Sequence, residues 1–355
     1  MANPIPIKNI YHMLCYAWNV LEQAELIDVD IADNSNPIDL LAAILVNGAN
    51  HLLRRGIGQQ YSEQEEVIST LRGRVDMANS ERRLLLRQGK AICHFDELSP
   101  DFLANQIIKA TFVRLYRLAD LDKDLRHQSG ALLKRLSDVQ DIRLNRQVFK
   151  RVQVQGNNRF YRFLLNVCEL IYGECLLDEN SGHYRFRDFN RDDGPMAKVY
   201  EKFIYNFYDK TQKEYRVSSE RIKWDAVSVD DPELSLLPSM LTDISLRSKQ
   251  RTLIIDAKYY RKTLTSFHGS KTFHSSNLYQ INAYLDNLAV NGGNDAVAEG
   301  MLLYPVTEEV VSASYSVGSK TIRVESLDLA QDWQGIENDL RELLNKKVPV
   351  ELVGI

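Results

Sequence analysis

The sequence predicts a mixed α/β protein of two domains, and three observations carry that expectation. Apolar residues recur at helical spacing in some windows, as at Ile10, Met13, Leu14, Ala17, Trp18 and Leu21, and in short strand-length runs such as LIID and GMLLYP in others. Past about residue 196, helix, strands, helix and strand follow one another, the order of an α/β layer structure. The chain has 355 residues, more than a single apolar core commonly serves.

In order along the chain, Pro4 and Pro6 hold an extended entry, and residues 10–26 form an amphipathic helix. Asp39 caps a second helix that runs to about Arg55 and stops at Gly56 and Gly58. Residues 60–95 shorten to strand pieces, EVIST, GRVDM and KAICHF, around a basic, leucine-rich stretch. Residues 103–118 and 130–136 return to helix. The domain boundary is expected near residue 160, giving domains 1–160 and 161–355. The second starts with an apolar helix over 163–176, the loop GHYRFRDFNRDDGP and a helix over 196–208 that carries Glu201. Strands are expected at 222–227, 241–247 and 252–259, then a helix over 277–288, a strand at 300–305 and a last helix over 335–345.

Composition and patterning exclude several classes. With 44% hydrophobic and 26% charged residues the chain is neither disordered nor fibrous. Its longest uncharged apolar stretch, residues 40–53, falls short of the roughly 20 residues a membrane helix needs. The first 18 residues lack the ordered parts of a secretion signal, which points to the cytoplasm. Cys15, Cys93, Cys168 and Cys175 include no CxxC and no Cys/His pair at zinc spacing, so buried free thiols are expected. Net charge is −4, yet residues 142–162 hold Arg143, Arg146, Lys150, Arg151, Arg159 and Arg162 with no acid, and Phe149, Phe160 and Tyr161 among them. Such a stretch suits a phosphate backbone, an acidic partner or plain solvation.

The most informative spacing lies in MLTDISLRSKQRTLIIDAKYY. Two apolar runs flank the polar turn Ser248 to Arg251, the pattern of an antiparallel hairpin. A turn centred near Lys249 and Gln250 sets Asp243 opposite Asp256 or its neighbour. Strand side chains alternate faces, so Asp256 and Lys258 share one. Two carboxylates and an ammonium then converge, and a divalent cation with hard oxygen ligands, Mg²⁺, relieves the repulsion of the acids. Such an ion lowers the pKa of a bound water and neutralises charge on a phosphate oxygen, the requirements of phosphodiester hydrolysis.

A helix with an acid, a strand with Asp, a strand with Asp-x-Lys and a further helix together resemble the PD-(D/E)xK nuclease superfamily. IPIKNIYHMLCYAW, RRG at Arg54, RGRVD at Arg72, DELSPDFLANQIIKAT, GHYRFRDFNR and KWDA at Lys223 extend the resemblance, over nearly the whole chain, to the McrC family, the nuclease subunits of McrBC modification-dependent restriction systems. That resemblance implies an elongated α+β finger in domain 1–160 and a restriction-endonuclease-like domain in 161–355. It implies catalytic roles for Asp243, Asp256 and Lys258, an auxiliary role for Gln280 beside Tyr284, and a metal set of Asp243, Asp256 and Glu201. The implied partners are a hexameric McrB-like AAA+ GTPase and double-stranded DNA with modified cytosine. GTP belongs to that partner, since no GxxxxGK[ST] occurs here. Arg54, Arg55, Arg72, Arg74, Arg82, Arg83 and Arg87 are candidates for touching the ring. The competing expectation is a non-catalytic activator of the GTPase with a vestigial nuclease domain.

Overall fold

The computed structural model describes residues 5–21, 36–153, 159–177, 184–186, 193–260, 264–267 and 270–346. The chain divides into two units, residues 1–37 with 188–355, and residues 38–187. That division differs from the expected boundary at residue 160, for two physical reasons found in the first helix and in the helix after residue 159.

Helix α1 (Ile7–Ala17) buries Ile10, Met13, Leu14 and Ala17. Its partners come from the end of the chain. Asn9 Nδ2 donates to the carbonyls of Leu329 and Gln331 at 2.9 and 2.7 Å, and His12 stacks on Trp333 with ring centroids 4.7 Å apart. Asn206 Nδ2 donates to Tyr16 O and Ala17 O, satisfying carbonyls that the helix end leaves open.

The 38–187 unit starts on α2 (Pro37–Arg54), where proline takes the first helical turn because its missing N–H is not needed there. Asp39 therefore lies inside the helix and is not its cap; its Oδ1 accepts the Asp122 N–H at 3.0 Å. Strands β1 (Gln60–Ile68), β2 (Arg74–Asp76) and β3 (Ala91–Ser99) make a small antiparallel sheet in the order β1-β3-β2, with α3 (Met77–Arg82) capped by Asp76 between β2 and β3. Helices α4 (Leu103–Tyr116), α5 (Lys123–Arg135), α6 (Arg146–Arg151) and α7 (Arg159–Glu174) follow, then the pair β4 (Cys175–Leu177) and β5 (Tyr184–Phe186). The short α6 was not expected, having only six residues to show a period. Helix α7 belongs here because Tyr161 donates to Asn105 Oδ1 and accepts from Gly58 N, both at 2.9 Å, and Arg114 lies over the Tyr172 ring at 4.6 Å.

Gly73, in the link before β2, has φ +66°, and a Cβ there would stand 2.2 Å from the His94 carbonyl. The obstacle is backbone, so it does not rotate away. Gly73→Ala is expected to cost about 1–3 kcal/mol. Faster hydrogen exchange confined to the Ala91–Ser99 amides would show it; unchanged protection would contradict it.

The other unit is built on a mixed sheet. Helix α8 (Asp193–Thr211) leads into β6 (Arg216–Ser218), the short pair β7 (Arg221–Ile222) and β8 (Met240–Leu241), β9 (Ile244–Arg247) and β10 (Thr252–Ala257). The hairpin β11 (Leu264–Phe267) and β12 (Ser270–Phe273), helix α9 (Ser275–Ala289), β13 (Glu299–Pro305), β14 (Ser312–Val317), β15 (Lys320–Leu327) and α10 (Trp333–Asn345) complete it. The sheet order is β14-β15-β13-β10-β9-β6, with β10, β13 and β15 parallel and the remaining pairings antiparallel. Strand β10 is central and all six of its residues are buried, which is why its sequence reads as a continuous apolar run. Ile281, Tyr284, Leu285 and Leu288 of α9 pack on Ile254, Leu302, Tyr304 and Ile322.

Cys15, Cys93 and Cys168 are buried free thiols, as expected. Among the described residues no helix is long and apolar enough to cross a membrane.

Candidate active site

Strands β9 and β10 form the expected hairpin, with Thr252 opposite Arg247 and Ile255 opposite Ile244. Continuing that register by one residue sets Asp243 beside the end of β10, and the Ala257 N–H donates to Asp243 Oδ2 at 3.0 Å. The hairpin is pinned at its turn end: Arg247 Nε donates to both oxygens of Glu220 at 2.9 Å, and Arg251 forks onto Glu299 at 2.8 and 2.6 Å. Next to Asp243, the buried Thr242 and Ser245 hydroxyls lie 2.8 Å apart, and Thr242 Oγ1 also accepts the Glu220 N–H at 2.9 Å. The loop carrying Asp243 is thus fixed on both sides.

Asp256 and Lys258 share a face, and Lys258 Nζ stands 2.6 Å from Asp256 Oδ1. Asp256 is 1% exposed, and its two oxygens accept no well-directed hydrogen bond. The Lys258 contact is an ion pair across a poor angle. A buried carboxylate is normally saturated by donors, so its open lone pairs mark a place for a further positive group.

Asp243 feels the crowding. Burial first, then the neighbouring Asp256, push its carboxyl up to about 8. Glu201 on α8 is raised too, chiefly by burial, with Asp256 adding to it and Lys202 and Lys258 opposing. Lys258 is raised: its desolvation is outweighed by Asp256 and Asp243. Unfolded, Asp243 ionises near the ordinary value of about 4. Between there and about 8 the native chain holds a proton that the unfolded chain has released, so stability falls as pH rises through that window. Asp243→Asn keeps an oxygen for Ala257 N–H and removes the charge. The metal-free variant should melt higher than wild type at pH 9, by about 2–4 °C per kcal/mol relieved, and equally at pH 5. A lower melting temperature at pH 9 would make Asp243 a structural acceptor instead.

Among the described residues no group of three or more His, Cys, Asp or Glu side chains is arranged to hold a metal ion. Of the expected set, Asp243 and Asp256 converge at the hairpin, and Glu201 on α8 feels the charges of Asp256 and Lys258. Hard carboxylate oxygens fit Mg²⁺, which keeps several waters and takes few protein ligands.

Gln280 Nε2 donates to the Tyr284 hydroxyl at 2.7 Å, and that hydroxyl donates to Leu241 O at 2.9 Å. Gln280 is thus tied to Tyr284, which anchors the backbone two residues before Asp243. Sequence reasoning missed Tyr260, Asn277 and Tyr304. Asn277 Nδ2 donates to the buried Tyr304 hydroxyl at 3.0 Å, Tyr260 reaches Asn277 Oδ1 at 3.4 Å, and the Tyr260 ring lies 4.6 Å from His274. Of these, Tyr260 follows Asp-x-Lys closely enough to have been noticed; Tyr304 is brought in only by β13 pairing beside β10.

A family model described as McrBC 5-methylcytosine restriction system component matches residues 7–305. The chain is 34% identical over 342 residues to the type IV methyl-directed restriction enzyme EcoKMcrBC of Escherichia coli strain K12, covering 96% of this chain and 98% of that protein. It is similar in fold, with TM-score 0.57 and 18% identity over 96% of this chain and 75% of the other, to a chain in the refined half-complex from the tetradecameric assembly of Thermococcus gammatolerans McrB AAA+ hexamers with bound McrC. The mixed α/β architecture is common to both. With most of its length matched by the model and nearly all of it aligned with the Escherichia coli enzyme, the chain belongs to the family of McrBC 5-methylcytosine restriction system components.

Proposed function

We propose that this chain is the endonuclease subunit of a GTP-dependent restriction complex and hydrolyses double-stranded DNA carrying modified cytosine, with Mg²⁺ held by Asp243 and Asp256. The observation that carries the reading is the buried Asp256, its oxygens without a well-directed hydrogen bond, between Asp243 and the Lys258 ammonium. When bound, Mg²⁺ supplies a water of lowered pKa and a counter-charge for the phosphate. Asp256 and Asp243, fixed by the pinned hairpin, orient oxygen ligands toward one point. Lys258 presents a positive charge to the phosphate oxygens. The fixed Ala257 N–H holds Asp243 in place without consuming its second oxygen. A chain acting only as an activator of a GTPase has no use for a buried acid, a half-buried one and a lysine so arranged.

The related solved structure contains McrB AAA+ hexamers with bound McrC. By that likeness the partner of this chain is a McrB-like AAA+ GTPase, which binds the GTP, and the 38–187 unit supplies the contact. Its small sheet and the connections between the strands present exposed Tyr61, Leu71, Leu84 and Leu98 along with several arginines. The complex of chain and cognate GTPase is expected to cut methylated duplex DNA when GTP and Mg²⁺ are both present. Full cleavage in excess chelator would sink the proposal.

A further inference from the structure

The acid-free basic stretch noted in the sequence lies in the 38–187 unit and is not absorbed by the chemistry above. No Asp or Glu occurs between Asp141 and Glu169. Arg143, Arg146, Lys150, Arg151, Arg159 and Arg162 are all exposed. Among the described residues none of the six has an ion-pair or hydrogen-bond partner. Two arginines of the other unit are neutralised internally, Arg247 by Glu220 and Asp295 and Arg251 by Glu299. Six cations with no partner among the described residues repel one another, which is a standing cost unless an external polyanion offsets it.

The aromatic residues of the stretch decide which polyanion. Phe149 packs on Tyr172 with ring centroids 5.4 Å apart, Phe160 lies 5.1 Å from His51, and Tyr161 is buried with its hydroxyl bonded to Asn105. Tyr161 is buried and Phe149 and Phe160 are half-buried against their neighbours, which leaves no fully exposed ring for an unpaired base to stack on. Nor does any of them stand out as the exposed apolar anchor from which protein interfaces draw their energy. What remains is charge spread over α6 and the first turn of α7, around a groove of about 430 Å³ lined by Phe149, Val152, Arg162, Asn166 and Glu169. Glu169 places one negative charge at that groove, which keeps phosphates toward Arg162 and the α6 cations.

We infer that the surface formed by α6 and the start of α7 is a second DNA contact, which grips the phosphate backbone of a duplex without reading its bases. It rests on duplex DNA being the substrate, and adds to the cleavage site a sequence-independent hold on the DNA. Lys and Arg contacts of this kind release condensed counterions, so their mark is a steep dependence of affinity on salt.

The test uses the full chain with Asp256→Asn, so that bound DNA stays intact, and unmethylated duplexes of two unrelated sequences. Adding Arg146→Gln, Lys150→Gln and Arg151→Gln should weaken binding equally for both sequences. It should also flatten the log–log salt slope by about 1 for each residue, about 3 in all. The melting temperature should not move, because these side chains make no ion pair or hydrogen bond among the described residues. Arg82→Gln, Arg83→Gln and Arg87→Gln remove the same charge from elsewhere in the unit and should leave the slope alone. An unchanged slope in the α6 variant, an equal flattening in the control, or no duplex binding by the parent chain at 50 mM salt would each overturn the inference. So would unchanged DNA binding with weakened binding of the GTPase, which would make the surface a protein contact. Failure of the nuclease reading shows separately, as absence of cleavage by the chain with Asp256 intact while the salt slope still responds.

Discussion

Asp256→Asn and Lys258→Ala should each stop DNA cleavage while the chain still folds and still stimulates its GTPase. Asp256 is almost fully buried and its oxygens are the open ones; an amide in its place offers a weaker ligand and two N–H groups where a cation belongs. Residues that merely orient a metal ligand are worth about 10–100-fold in affinity or activity, so loss of the ligand itself should exceed about 100-fold. Lys258→Ala leaves Asp256 without its 2.6 Å counter-charge, next to Asp243, and a drop in metal-free melting temperature is expected as well. Gel-resolved cleavage and GTP turnover, measured on the same complexes, separate the roles. If either variant cuts at the wild-type rate the site is misassigned; if both lose GTPase stimulation with unchanged folding, the activities are not separable.

The second large effect concerns the division of labour. Residues 38–187 form one unit with its own core, including Ile44, Leu45, Ile107, Phe112 and Leu164. Expressed alone, this unit should raise the GTP turnover of the cognate ring. An arginine that reaches a transferring phosphoryl group contributes about 10³–10⁵ in rate, and one that orders the partner's own residues acts through the same charge. The revised boundaries matter: a fragment of residues 1–160 would carry α1 without Asn206 and Trp333, and would lose α7 with its Tyr161 contacts. That fragment should aggregate where 38–187 does not. A folded 38–187 that leaves turnover unchanged would reverse the assignment.

What the sequence disclosed tracks contact range. The β9–β10 hairpin was legible because its register is set by a four-residue turn, so Asp243, Asp256 and Lys258 could be placed from spacing alone. Strand β10 showed itself as a buried apolar run, and α9 as a helical period. The role of α1 was hidden because its partners Leu329, Gln331 and Trp333 lie more than 300 residues away. Asp39 read as a cap because its residue type fits one, but Pro37 had already begun the helix and the side chain serves Asp122. Glu201 entered the metal set from resemblance alone, because it lies on α8, far from the hairpin in sequence, and no spacing joins it to Asp243 and Asp256.

The most direct measurement is a Mn²⁺ titration of the full chain followed by electron paramagnetic resonance, with Mg²⁺ as competitor. One bound Mn²⁺, displaced by Mg²⁺ and lost in both Asp243→Asn and Asp256→Asn, is the predicted result. Equal Mn²⁺ binding by wild type and both variants would contradict a cation held between Asp243 and Asp256.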